Sequence, residues 1–243
     1  MATNNAQASL SEATRSYEDL AAENEQLKQQ VNELNQQLVE FYQYKQENAQ
    51  LKNYLGLKEN NPDYQFVSAS VINRDPNNLY YTFTLDQGSN AGVKVNDPVI
   101  TDQGVVGWVS QVSAMYCEVT TILSPDTNIS ATDKVNRESG TISSNAQLSD
   151  QGLIKLGLLE AGTTVQEGDI IVTSGIGGKF PKDLLIGKAV EVKPEENDVS
   201  LYATVEPFVD IKTVRDVIII TSFNGQGEVA DNTDTNNASS NGG

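Results

Sequence analysis

The chain has 243 residues, 38% of them hydrophobic, with 16 basic residues and a net charge of −17. That length supports one or two domains with a real core, while the low apolar share places part of the chain outside any core. The acidic balance, with no Lys/Arg cluster, excludes a nucleic-acid partner and an unaided grip on anionic lipid, because phosphates would be repelled.

Histidine is absent. Its absence removes the usual general base, the usual metal ligand and every Ser-His-Asp or Cys-His arrangement. No catalytic residue, cofactor or metal site is expected. A single cysteine, Cys117, allows neither an internal disulfide nor a Cys-based zinc site, and its setting "AMYCEVTTIL" reads as a strand with a small buried thiol.

Residues 1–16 read as a flexible N-terminal segment. The start, "MATNNAQASL", lacks the charged and apolar regions of a secretory signal. No run approaches the ~18 apolar residues needed to cross a bilayer. The chain is therefore either soluble or an extramembrane part whose anchor is missing.

Residues 17–58 read as a coiled-coil helix. Apolar residues recur at Leu20, Leu27, Val31, Leu34, Leu38 and Phe41, with Asn24 on the same stripe. Steps of seven, or of alternating four and three, form one seam, and an asparagine within it favours a single register and two strands. The pattern continues through Tyr44, Asn48, Leu51 and Leu55. Two successive steps of three at Leu38, Phe41 and Tyr44 overwind the supercoil locally. These seven seam residues, Leu20 to Phe41, are expected to form a parallel homodimer interface. Gly56 and "KENNPDY" end the helix.

From about Gln65 to Phe223 the chain reads as short strands rich in Val, Ile, Thr and Tyr, separated by turns such as "DPNN", "SPDTN" and "PEEND". The fold class is mainly β with an N-terminal coiled-coil helix and two small tandem β-barrels. The first barrel module is placed at 64–122 and the second at 123–223, with the return of the last strands to the first barrel left open. In "NLYYTF", Tyr81 and Phe83 read as core. Residues 224–243 form a polar tail of low complexity, expected to be disordered.

An internal echo supports the tandem modules. "VKVNDPVITDQGVVGWV" and "VQEGDIIVTSGIGGKFPKDLLIGKAV" align with Asp97, Val99, Ile100 and Thr101 each 72 positions before Asp169, Ile171, Val172 and Thr173. The second copy carries an extra "GKFPKDLL".

The glycine cluster in that second copy is not a phosphate loop. Lys179 is followed by Phe180 instead of Ser or Thr, and Thr173 stands where the first glycine belongs. A Ser174 dyad with Lys179 or Lys182 would need a buried lysine, and both lie in a polar loop. Thr173, Ser174, Gly175, Gly178, Phe180, Pro181 and Gly187 are assigned to shaping the second module. Phe180 has a second reading as an exposed partner anchor.

Taken together, the coiled coil, "RDP" before an aromatic strand, and "TSG-x-GG-x-FP" followed by "IG" resemble the extracytoplasmic part of the bacterial MreC family of rod shape-determining proteins. The resemblance covers about Leu20 to Thr221. It implies a non-enzymatic scaffold of cell-wall elongation, facing the outside of the cell membrane and anchored by a membrane segment missing here. It implies as partners the membrane protein MreD and peptidoglycan synthases of the penicillin-binding type. Asp183 stands where that family commonly has glycine. Two other classes fit the sequence less well. Export-pump adaptors place β segments on both sides of a helical hairpin, and a chymotrypsin-like barrel hydrolase needs the histidine this chain lacks.

Overall fold

The structure, a computed structural model, describes residues 22–45, 56, 58–59, 61–74, 78, 80–195 and 200–227. The expectations for 1–16, Leu20, Asn48, Leu51, Leu55 and 228–243 lie outside these residues. The chain divides into two units, Met1–Leu57 and Lys58–Gly243.

In the first unit, residues 22–45 form a helix, α1. Gln, Glu, Asn, Leu and Lys dominate it, and no proline or glycine interrupts its ladder. All of its side chains are exposed, and the seam residues Leu27, Val31, Leu34, Leu38 and Phe41 remain 49–62% exposed.

Among the described residues the second unit has twelve antiparallel strands in two closed barrels. The first barrel contains β1 (Gln65–Arg74), β2 (Phe83–Leu85), β3 (Pro98–Ile100), β4 (Val105–Val112), β5 (Cys117–Thr121) and β12 (Asp216–Ser222). The second contains β6 (Ile129–Asp133), β7 (Ser139–Ser143), β8 (Ile154–Leu159), β9 (Ile170–Thr173), β10 (Leu185–Pro194) and β11 (Leu201–Pro207). A five-residue helix, α2 (Ala146–Asp150), is capped by Asn145, whose side chain accepts the Leu148 N–H at 2.9 Å.

Alternation along the strands decides which face is buried. In β5, Cys117, Val119 and Thr121 point inward while Glu118 is exposed. Leu85, Val99, Val105 and Ile219 fill the first core, and Ile142, Ile154, Leu156, Ile171 and Ile186 the second, all fully buried. Each such side chain contributes roughly 1.5–3 kcal/mol of hydrophobic stabilisation. Phe83 is core as expected, whereas Tyr81 is half-buried with left-handed backbone, φ 53°, and Lys212 sits 5.2 Å over its ring.

The two barrels share one topology. Around the first, the order is β12-β3-β4-β5-β2-β1; around the second it is β6-β9-β10-β11-β8-β7. Each strand of one therefore has a counterpart in the other, and β12 stands where β6 does. In chain order, however, β6 precedes its companions and β12 follows all of its own. The second barrel is inserted between β5 and β12, so β11 closes the second barrel and β12 returns to the first, across the 123–223 module boundary. Residues 122–128 and 208–215 make the two crossings.

The sequence echo is visible bond for bond. Asp97 Oδ2 accepts the Lys94 N–H at 2.7 Å, and Asp169 Oδ2 accepts the Gln166 N–H at 2.7 Å. Asn96 N–H donates to Val109 O at 2.8 Å, as Gly168 N–H does to Ala189 O at 2.8 Å. Asn96 and Gly168 both have left-handed backbone, φ 72° and 100°. Glycine recurs where strands approach closely: a Cβ on Gly107 would stand 2.0 Å from Thr120 O, and one on Gly187 2.2 Å from Glu206 O.

Candidate functional site

Between β9 and β10 runs the loop that carries the sequence motif. Thr173, fully buried, ties its two ends together. Its Oγ1 donates to Pro181 O at 2.5 Å and accepts the Leu184 N–H at 2.9 Å, while its carbonyl accepts the Asp183 N–H at 2.9 Å. Gly175, Gly177 and Gly178 take positive φ of 82°, 84° and 61°, which L side chains rarely adopt. Asp183 also lies in the left-handed region, φ 65°, a conformation that glycine adopts without strain; its carboxylate meets Arg137 at 3.2 Å.

The chemistry of this loop is structural. Ser174 Oγ accepts the Ile176 N–H at 3.2 Å and closes a turn. Lys179 and Lys182 are exposed, so neither has the burial a Ser-Lys pair requires. Phe180 is 5% exposed and Pro181 is buried, which overturns the reading of Phe180 as an exposed anchor. Phe180 instead helps line a groove of about 210 Å³ between the barrels, together with Asn96, Trp108, Asp126, Asn128 and Lys179. Gly104 sits against the second barrel here, with room for no Cβ before Leu185 O at 2.4 Å.

Three contributors escaped sequence reasoning. Arg74, the arginine of "RDP", donates from Nη1 to Ile211 O at 2.6 Å and Lys212 O at 2.8 Å, and from Nη2 to Val214 O at 2.7 Å. It lies 5.1 Å over the Phe83 ring and fixes the crossing that leads back into β12. Gln226, beyond that strand, donates from Nε2 to Asp97 Oδ1 at 3.2 Å, and Gly227 N–H donates to Gly178 O at 3.0 Å. The segment after β12 thus touches both barrels. The third is Asp133, at the end of β6. Only the "RDP" motif gave a local signal for any of these.

Cys117 is fully buried, and burial first, then the charges of Asp97 and Asp86, push its thiol up to about 11. Among the described residues no group of three or more His, Cys, Asp or Glu could hold a metal ion, and no helix is long and apolar enough to cross a membrane.

Residues 71–221, from the last four residues of β1 to all but the final residue of β12, match the family described as Rod shape-determining protein MreC, barrel core. The chain belongs to the MreC family. It is 32% identical over 212 residues to the cell shape-determining protein MreC of Listeria monocytogenes, covering 87% of this chain and 72% of that protein. A solved Listeria MreC structure superposes with a TM-score of 0.63 at 29% identity, covering 86% of this chain and all of the other. A Helicobacter pylori structure, a complex between penicillin-binding protein PBP2 and MreC, has the same fold, with a TM-score of 0.52 at 12% identity over 65% of this chain and 99% of that one. The MreC barrel core is therefore the two-barrel unit described above, and the family is one of cell-shape determinants.

Proposed function

We propose that this chain is a non-enzymatic scaffold of cell-wall elongation that dimerises through a coiled coil and organises peptidoglycan synthases of the penicillin-binding type. The observation that carries the reading is the α1 seam: Leu27, Val31, Leu34 and Leu38 lie on one stripe, each about half exposed or more. A lone helix cannot bury such a stripe, and a parallel second copy offers knobs-into-holes packing for every one of these residues. Asn24 on the same stripe favours the two-stranded register, and Leu20 extends it. The paired helices bring two MreC barrel cores together, doubling the surface open to a synthase.

Support for the synthase partner comes from the H. pylori relative, whose structure is a complex with PBP2. Resemblance to the family supports MreD as a membrane partner and an extracytoplasmic position for the barrels. No cofactor is needed for such a role. Light scattering of the wild type against Leu27→Asp/Leu34→Asp tests the pairing: a twofold fall in mass is expected, and equal masses end the dimer reading. Capture of penicillin-binding synthases from membranes, with the barrels alone and with residues 17–57 attached, tests the partner. Stronger capture by the longer form is expected; no capture by either removes the synthase reading.

A further inference from the structure

Among the described residues two buried carboxylate oxygens have no hydrogen-bond partner, Asp133 Oδ2 and Glu138 Oε1, and both lie at one end of the second barrel. A buried polar atom without a partner points to something that satisfies it. Asp133 ends β6 and is fully buried. Its Oδ1 accepts the Val135 N–H at 2.6 Å and the Asn136 N–H at 3.0 Å, so the turn at 134–137 is built on that oxygen. The pairing of Asp133 with Ile171, and the Lys134 N–H bond to Ile170 O at 2.9 Å, set Asp133 beside Asp169. Asp169, two residues before Ile171, therefore lies diagonally across from Asp133 on the same face of the sheet, and the neighbouring Asp133 raises its carboxyl.

The first barrel provides an internal control. Asp97 is the counterpart of Asp169, and both use Oδ2 to accept a backbone N–H three residues earlier. The other oxygen of Asp97 accepts from the Gln226 amide. In the second barrel the neighbour is a carboxyl. An amide can donate to a carboxylate, but two ionised carboxylates as neighbours repel, and one positive charge between them removes the conflict.

We propose that Asp133 and Asp169 share one proton, held between Asp133 Oδ2 and the Asp169 carboxyl, and that this proton is a titratable lock on the β6–β9 end of the second barrel. A metal would require a larger ligand set than the described residues assemble here. The Asp169 carboxyl is raised by burial and by the neighbouring Asp133, against the Gln166 N–H that lowers it. Glu138 stands immediately before β7, beside Asp133. Burial raises it, but the bonds from Thr163 and Thr164 more than reverse this, so it stays ionised and adds to the repulsion once the proton leaves. On β10, Lys188 passes Gly168, its Cε 3.7 Å from where a Cβ there would sit. Lys134 is exposed on the turn, and Arg137 on the same turn is engaged by Asp183. Loss of the proton therefore strains the turn whose Arg137 meets Asp183 in the loop at 174–184.

The sign is opposite to that of an ordinary salt-bridged acid. The folded state holds a proton that the unfolded state releases, so the stabilisation is complete at low pH and is lost as pH rises through the folded value. Carbon-13 carboxyl titration of the full chain, in calcium and in EDTA, is the test. In the wild type Asp169 is expected to titrate above about 3.9, the ordinary Asp value. In Asp133→Asn, whose amide reproduces the Gln226 arrangement, Asp169 is expected to fall from its wild-type midpoint and the pH dependence of urea unfolding to flatten. Asp169→Asn, read by urea unfolding alone, is expected to give the same flattening. An ordinary or unchanged Asp169 midpoint overturns the proposal, as does a midpoint that moves with calcium, which would make a metal the neutralising charge.

Discussion

Gly187 lies so close to Glu206 across the β10–β11 pair that a Cβ on it would stand 2.2 Å from the Glu206 carbonyl oxygen. Gly187→Ala forces those strands apart and is expected to cost about 2–3 kcal/mol in urea unfolding. Gly107→Ala should behave alike in the first barrel, where Thr120 O is the obstacle. Gly162→Ala, with open space around the added carbon, should change stability by no more than about 0.5 kcal/mol.

Arg74→Ala removes donors to three carbonyls of the crossing at 211–214 and the contact with Phe83. The expected loss is about 2–4 kcal/mol by chemical denaturation. Arg74→Lys should recover only part of it, since an ammonium cannot reproduce the planar fork.

Gln226→Leu leaves Asp97 Oδ1 without its donor in a site 1% exposed. Burial already holds Asp97 above its ordinary range, while the Lys94 N–H and the Gln226 amide lower it. Removing the amide raises Asp97 further. A raised folded value means stability is present below the unfolded value and lost as pH climbs through the folded one. The variant should therefore match the wild type in acid and lose about 1.5–3 kcal/mol near neutral pH, measured by thermal or urea unfolding at both pH values.

Cys117 should resist a thiol-specific disulfide reagent at pH 8, because it is fully buried and its thiol is pushed up to about 11. Labelling should begin only with unfolding of the first barrel, so its rate reports that opening. Reaction of the native chain within the mixing time would contradict the burial.

Much of this organisation was legible in the sequence because it is local. The seam of α1 follows from seven-residue spacing, and the barrels from short alternating strands. The echo of Asp97 and Asp169 survives as identical turns because each carboxylate bonds within its own four residues. What the sequence did not disclose is long-range. Arg74 and Ile211 are 137 positions apart, and Gln226 and Asp97 129 apart, so no window joins them. Phe180 was ambiguous for a related reason: a lone aromatic in a polar loop is buried or exposed according to what packs over it. Asp133 gave no signal, since its meaning depends on Asp169 arriving from another strand.

The insertion of one barrel into the other has a mechanical consequence. A domain hung on one peptide linker can swivel about that bond, so a twist at one end dies out at the joint. Here two separate stretches of backbone bridge the gap, and Arg74 braces the second of them. Torque applied to either barrel must pass to its neighbour, and a pull on β12 at the far end of the unit draws on the same strand pair through which the chain first arrives.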